Sequence, residues 1–123
     1  MKQLLLVFLG GGLGSSLRYL ISSYLNNNTF PYGTLTVNLI GSFIIGIVLG
    51  ELLRNHNLST SLILLLATGF CGGFTTFSAF AFENMEFLKS GDYTNFLLYA
   101  FGSLALGIAA IFIGIWVSKL LLT

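Results

Sequence analysis

A chain of 123 residues with 55% hydrophobic and only 7% charged side chains departs from soluble domains, in which about a quarter of residues are charged. Water is not its main solvent, and a net charge of +1 excludes the basic face that nucleic-acid binding demands. The length leaves a single domain, residues 1–123, because four membrane-crossing helices of roughly 20 residues consume about 80 of them and leave no room for a globular catalytic unit.

The first predicted span runs from Leu4 to Tyr24, with Arg18 as its only charge. Its start, Met1-Lys2 and then the apolar run Leu4 to Leu9, looks like the opening of a signal peptide. The apolar run continues past any plausible cleavage point, so the segment reads as an uncleaved span. Turn-prone Asn26, Asn27 and Asn28 end it, and Pro31 opens the next segment. The second span, Gly33 to Leu53, is interrupted by Asn38 and closed by Glu51, Arg54, Asn55, His56 and Asn57. The third starts near Ser59 and reaches Glu83 or beyond, but Gly69, Gly72, Gly73, Thr75, Thr76 and Ser78 break its apolar run. The fourth, Asn95 to Leu122, is long enough to tilt and carries Tyr99, Ser103 and Ser118 as polar members. Cys71 is the lone cysteine, which excludes an internal disulfide and a thiolate zinc cluster.

Small or polar residues recur at steps of four: Gly10, Gly14 and Arg18; Asn38, Ser42, Gly46 and Gly50; Tyr99, Ser103 and Gly107. Such steps keep residues on one helical face, and in lipid small-residue stripes let backbones approach closely. For Gly10, Gly46 and Gly107 packing is a sufficient reading. The loops carry a nearly balanced charge: with four spans, Lys2, Arg54 and Lys119 share one side, and Lys89 and Arg18 lie toward the other. That weak Lys and Arg bias is compatible with insertion in both orientations and with an antiparallel homodimer, and equally with one fixed orientation.

The segment Gly69 to Phe80 is the most informative. Adjacent Gly72 and Gly73 weaken an apolar helix by about 1 kcal/mol each relative to Ala, which predicts a break there. Non-helical backbone at membrane depth survives where it is buried or lines a cavity, and its freed carbonyls suit a cation such as sodium. The Lys that a phosphate-cradling loop requires is absent. Phe77 and Phe80, three apart, share a face if helix resumes. Their positive ring edges could solvate a small anion without the trapping strength of Lys or Arg, although on composition alone two core phenylalanines are the simpler reading. Asn38 suits either a neutral donor to an anion or a helix-to-helix hydrogen bond.

The runs GGGLGSSLRY from Gly10, TLTVNLIGSF from Thr34 and GFCGGFTTFSAF from Gly69 together resemble the bacterial fluoride channel family known as Fluc or CrcB, across the whole chain. The resemblance implies an all-α integral membrane protein with four transmembrane helices, the third broken in mid-membrane. It implies an antiparallel dual-topology dimer with pores lined by both subunits. Function would be passive, fluoride-selective export from the cytoplasm across the bacterial cell membrane, with no enzymatic step. Fluoride would pass Asn38, Phe77 and Phe80. A polar track would map to Thr76 and Ser78 and to Tyr99 and Ser103, and Arg18 would lie near the vestibule, unless it caps helix carbonyls or pairs with a partner. A structural Na+ would rest on the backbone carbonyls of Gly72 and Thr75. Two departures stand out: Ala79 replaces a frequent Thr, which removes one hydroxyl of the track, and Phe74 replaces a frequent Leu. A self-sufficient homodimer in membrane lipid is the simpler reading, with a heterodimer of related subunits as the alternative.

Two other classes are weighed. A proton-coupled exporter of small drugs needs an intramembrane acid, whereas Glu51, Glu83 and Glu86 fall at predicted span ends. A non-conducting packing subunit would show intact helices and no pore.

Overall fold

The computed structural model describes residues 1–55 and 58–121. Among these the chain is all-helical. It comprises α1 (Lys2–Leu25), α2 (Tyr32–Asn55), α3 (Thr60–Ile63), a π-helical stretch (Leu64–Cys71), α4 (Gly72–Phe74), α5 (Phe77–Ser90) and α6 (Tyr93–Leu121). The stretch from Thr60 to Ser90 forms one span in pieces, so four spans are long and apolar enough to cross a membrane. The predicted spans are present with small boundary shifts; His56, Asn57 and Leu122 lie outside the described residues.

Local chemistry sets the ends. Asn26 leaves the helical region at φ −69°, ψ 136°, while its amide still donates to Ser22 O. Its Oδ1 accepts from the amides of Gly33 at 2.7 Å and Thr34 at 3.1 Å, so the residue that ends α1 also caps the orphan amides of α2. Thr76 caps α5 through its side chain, and Gly91, at φ 77°, ends it in the left-handed conformation that glycine adopts without penalty.

The spans pack as two parallel pairs. A Cβ on Gly14 would run into the Phe70 carbonyl, and one on Gly10 into the Leu65 carbonyl, so α1 lies backbone to backbone against the third span. A Cβ on Gly46 would meet the Ile111 carbonyl and one on Gly114 the Phe43 carbonyl, which draws α2 against α6. Backbones held this close follow from small residues at matching steps. The stripe fails at Gly107, whose added Cβ would meet only Ser42 Oγ, at 3.8 Å. At Gly107 the reading of a packing surface therefore gives way to an open space between α2 and α6. Arg54 at the end of α2 donates through Nη1 to Ser118 O at 3.2 Å and Lys119 O at 3.4 Å, which fixes both C-termini at one end of the bundle. Phe101, Leu104, Phe112 and Trp116 of α6 are all mostly exposed, an apolar circumference that fits lipid or a partner rather than water.

Candidate functional site

The third span breaks, but not at the glycines. Gly72 and Gly73 are helical, and the extended residues are Thr75 (φ −89°, ψ 159°) and Thr76 (φ −149°, ψ 123°). Low helix propensity at a Gly pair is outweighed by packing: a Cβ on Gly73 would strike the Gly11 carbonyl, so that glycine serves close approach to α1. The break is made from outside the span. Asn38 on α2 accepts from the Thr76 amide through Oδ1 at 2.8 Å and donates through Nδ2 to the Thr76 carbonyl at 3.2 Å. One side-chain amide thus pairs with both backbone groups of Thr76, much as a neighbouring strand would.

The consequence is a set of diverted helix bonds. In a continuous helix the Thr76 and Ala79 amides would serve the carbonyls of Gly72 and Thr75. Here Thr76 N–H goes to Asn38 Oδ1 and Ala79 N–H to Thr76 Oγ1, at 2.8 and 3.1 Å. The Gly73 carbonyl instead accepts from Arg18 Nε at 2.9 Å. Arg18 is therefore a cap on the broken helix, one of the alternatives its sequence position left open.

Beside the break lies an open groove of about 520 Å³, lined by Asn38, Ser42, Ile45, Thr75, Thr76, Phe77, Phe80, Ala100, Ser103, Leu104 and Gly107. No lining residue is charged. The Phe77 and Phe80 rings lie 6.0 Å apart at 44°, on one face as their spacing requires. Phe77 is 80% exposed within the single chain, so it forms the rim, while Phe80 sits deeper against Tyr99 at 5.0 Å. Ser103 Oγ is buried and has no hydrogen-bond partner among the described residues. A buried hydroxyl without a partner costs free energy; other atoms of Ser103 line the groove while the oxygen itself is covered, so an occupant would meet it only after the side chain turns.

Of the sequence-predicted residues, Asn38, Thr75, Thr76, Phe77, Phe80 and Ser103 come together at the groove. Ser78 lies outside the lining, exposed, with Oγ 3.3 Å from Thr76 Oγ1. Tyr99 is buried behind Phe80 and turns its hydroxyl away, donating to Glu83 Oε1 at 2.8 Å. Gly72 is exposed and does not line the groove, and Arg18 meets the chain at the Gly73 carbonyl.

Sequence reasoning missed Thr34 and the reach of α5 beyond Glu83. α5 continues past Glu83 to Ser90, but the part-buried carboxylate meets Asn26 at the end of α1 and Thr34 in the first turn of α2, so it lies level with the ends of those two spans. Thr34, 1% exposed, donates through Oγ1 to Glu83 Oε2 at 2.7 Å, opposite the Tyr99 hydroxyl. Asn26 Nδ2 reaches the same Oε2 at 3.5 Å. A signal was available, because Glu83 follows Phe80 at the spacing of one helical turn and hence shares its face. A smaller pocket of about 160 Å³ opens from Glu83 between the loop of residues 26–31 and Glu86 and Phe87.

Four apolar spans, one of them broken beside an uncharged aromatic groove, define a polytopic helical membrane protein. Comparison with known proteins gives the particular family. Residues 5–115 match the family model described as CrcB-like protein, Camphor Resistance (CrcB), and the chain belongs to that family. It is 49% identical over 122 residues to a protein of Phocaeicola vulgatus, covering 97% of this chain and 100% of that one. It is 51% identical over 122 residues to one of Gloeothece citriformis, covering 97% and 98% of the two chains. A third, from Leptospira interrogans, is 46% identical over 121 residues, 96% and 95% of the chains. All three relatives bear the name fluoride-specific ion channel FluC, a non-enzymatic class.

Proposed function

We propose that this chain is a passive, fluoride-selective channel that lets cytoplasmic fluoride leave down its gradient across the bacterial cell membrane and so lowers its intracellular concentration. The observation that carries the reading is the convergence of Asn38, Phe77, Phe80 and Ser103 on one groove without a charged wall. Conduction requires sites favourable enough to enter and weak enough to leave. Ring edges and neutral amide or hydroxyl donors meet that condition for a small anion, whereas a Lys or Arg would hold the ion. An Asn amide has two N–H donors. One Asn38 Nδ2 hydrogen serves Thr76 O, and the other remains for the groove. The names of the relatives support fluoride as the ion.

The working unit in this reading is an antiparallel homodimer, with Phe77 exposed on one chain because a partner covers it, and with the break at mid-membrane. The Gly72 and Thr75 carbonyls, deprived of their helical amides by Asn38 and Thr76, fit a structural Na+ at the dimer axis. Among the described residues no His, Cys, Asp or Glu group could hold a metal, and bare carbonyl oxygens suit a hard monovalent cation. Bound there, the ion would satisfy carbonyls that the helix does not. Appending several Lys to one terminus should bias orientation and abolish flux from that protein alone. Full flux from uniformly oriented copies would end the antiparallel reading.

The part-buried Glu83 carboxylate, held by the Thr34 and Tyr99 hydroxyls, raises a second reading, proton-coupled transport with that carboxylate as the proton carrier. One experiment separates the two: fluoride efflux from liposomes holding only this purified chain, against chloride controls, with and without an imposed pH gradient. A channel gives fluoride flux driven by the fluoride gradient and membrane potential alone. Silence in such vesicles would sink the channel reading, and flux that needs the pH gradient would favour the coupled one.

A further inference from the structure

We propose that Gly41 is a positioning residue whose missing side chain seats the Thr75 methyl group and thereby sets the direction of the Thr75 carbonyl at the break; the inference rests on the channel reading above. Gly41 is buried on α2, three residues after Asn38, and so on the same helical face. A Cβ at Gly41 would collide with Thr75 Cγ2 and lie 3.5 Å from the Phe74 ring and 3.7 Å from Thr75 Cβ. Asn38 thus holds Thr76 while Gly41 admits Thr75, and α2 dictates both extended residues of the break.

Thr75 has little freedom to yield. Its Oγ1 donates to the Cys71 carbonyl at 2.7 Å, its amide donates to the same oxygen at 3.0 Å, and Thr76 is paired on both backbone groups by Asn38. Phe74, 2% exposed, is stacked on Phe70 with centroids 5.3 Å apart. Cys71 and Phe74 are both buried. With the side chain and amide of Thr75 held, the remaining adjustment is a rotation of the Thr75–Thr76 peptide, which turns the Thr75 carbonyl, pulls the Thr76 amide of the same plane off Asn38 Oδ1 and shifts the groove wall.

The test is size complementation in purified, full-length protein. Gly41→Ala should lower fluoride efflux by about tenfold or more, because an added methyl group overpacks the contact and forces the backbone of the break to shift. Thr75→Ser removes Cγ2 and keeps the hydroxyl for Cys71, so Gly41→Ala/Thr75→Ser should recover much of what Gly41→Ala loses. Thr75→Val keeps a methyl group in the contested space and should not rescue. Melting temperature in sodium against a bulky organic cation supplies an independent readout, and the sodium-dependent rise should shrink in Gly41→Ala and return in the Ser double variant. A loss of helix packing alone would lower melting equally in both salts. Full activity in Gly41→Ala, or strictly additive effects of the pair in both readouts, would overturn the proposal. If the unmodified chain conducts no fluoride the channel reading falls by itself, and the Gly41–Thr75 pair is then decided by the melting cycle.

Discussion

The Asn38 side chain accepts from the Thr76 amide at 2.8 Å and donates to the Thr76 carbonyl at 3.2 Å, which makes a residue of the second span the cause of the interruption in the third. Asn38→Asp keeps the acceptor and replaces the donor with an oxygen that faces the Thr76 carbonyl. Loss of one part-buried hydrogen bond and the new repulsion should cost about 1–3 kcal/mol. An ionised carboxylate on the groove wall also opposes an anion directly, so fluoride efflux should fall further than stability does. Retained flux in a folded variant whose Asp is ionised would remove Asn38 from the path.

The phenylalanines separate a pore role from a core role. Phe77, 80% exposed in one chain, can become Ile with little change in the fold of the subunit, whereas Phe80, which touches both Phe77 and Tyr99, should lose about 1–2 kcal/mol as Ile. Both Ile variants discard the positive ring edge. If that edge solvates the ion with about 1.4 kcal/mol, flux falls about tenfold. Phe80→Met should do less harm, because a thioether still presents a polarizable surface. Stable, dimeric Ile variants that conduct fully would show that the rings only pack.

Arg18 gives its Nε to the Gly73 carbonyl at 2.9 Å. Arg18→Lys keeps the positive charge but not the planar donor at that position. A residue that only attracts anions should tolerate the change at low and high salt alike. Because the bond caps the broken helix, the Lys variant should instead melt lower by about 1–3 kcal/mol of stability, with flux falling in step. Unchanged melting would return Arg18 to a purely electrostatic role.

Glu83 receives the Thr34 and Tyr99 hydroxyls on separate oxygens at 2.7 and 2.8 Å. Glu83→Gln leaves one acceptor oxygen and places an NH2 against a hydroxyl that must then turn, a rearrangement that should cost about 1–3 kcal/mol. The variant also tests coupling. In a passive channel, flux through Glu83→Gln responds to the fluoride gradient and potential as before, whatever its size. Proton-driven accumulation present in the parent chain and abolished in Glu83→Gln would contradict the passive reading.

Span number and approximate limits were legible from the sequence, because apolar runs of bilayer length have few alternatives in lipid and Asn26 and Pro31 are local punctuation. The Phe77 and Phe80 pairing was legible for the same kind of reason, a helical period acting within one segment. Gly10, Gly14, Gly46 and Gly50 marked contact stripes without saying what each would touch. Decisions that depend on another span were not legible. The break falls at Thr75 and Thr76 rather than at Gly72 and Gly73 because Asn38 and Gly41 of α2 act on it, while α1 closes on the glycines. Glu83 is part-buried because Thr34 and Tyr99 arrive from α2 and α6 to meet it. Propensity and periodicity report the energy of a segment with itself. Where two segments compete for one amide or one methyl-sized space, only their relative placement in three dimensions decides.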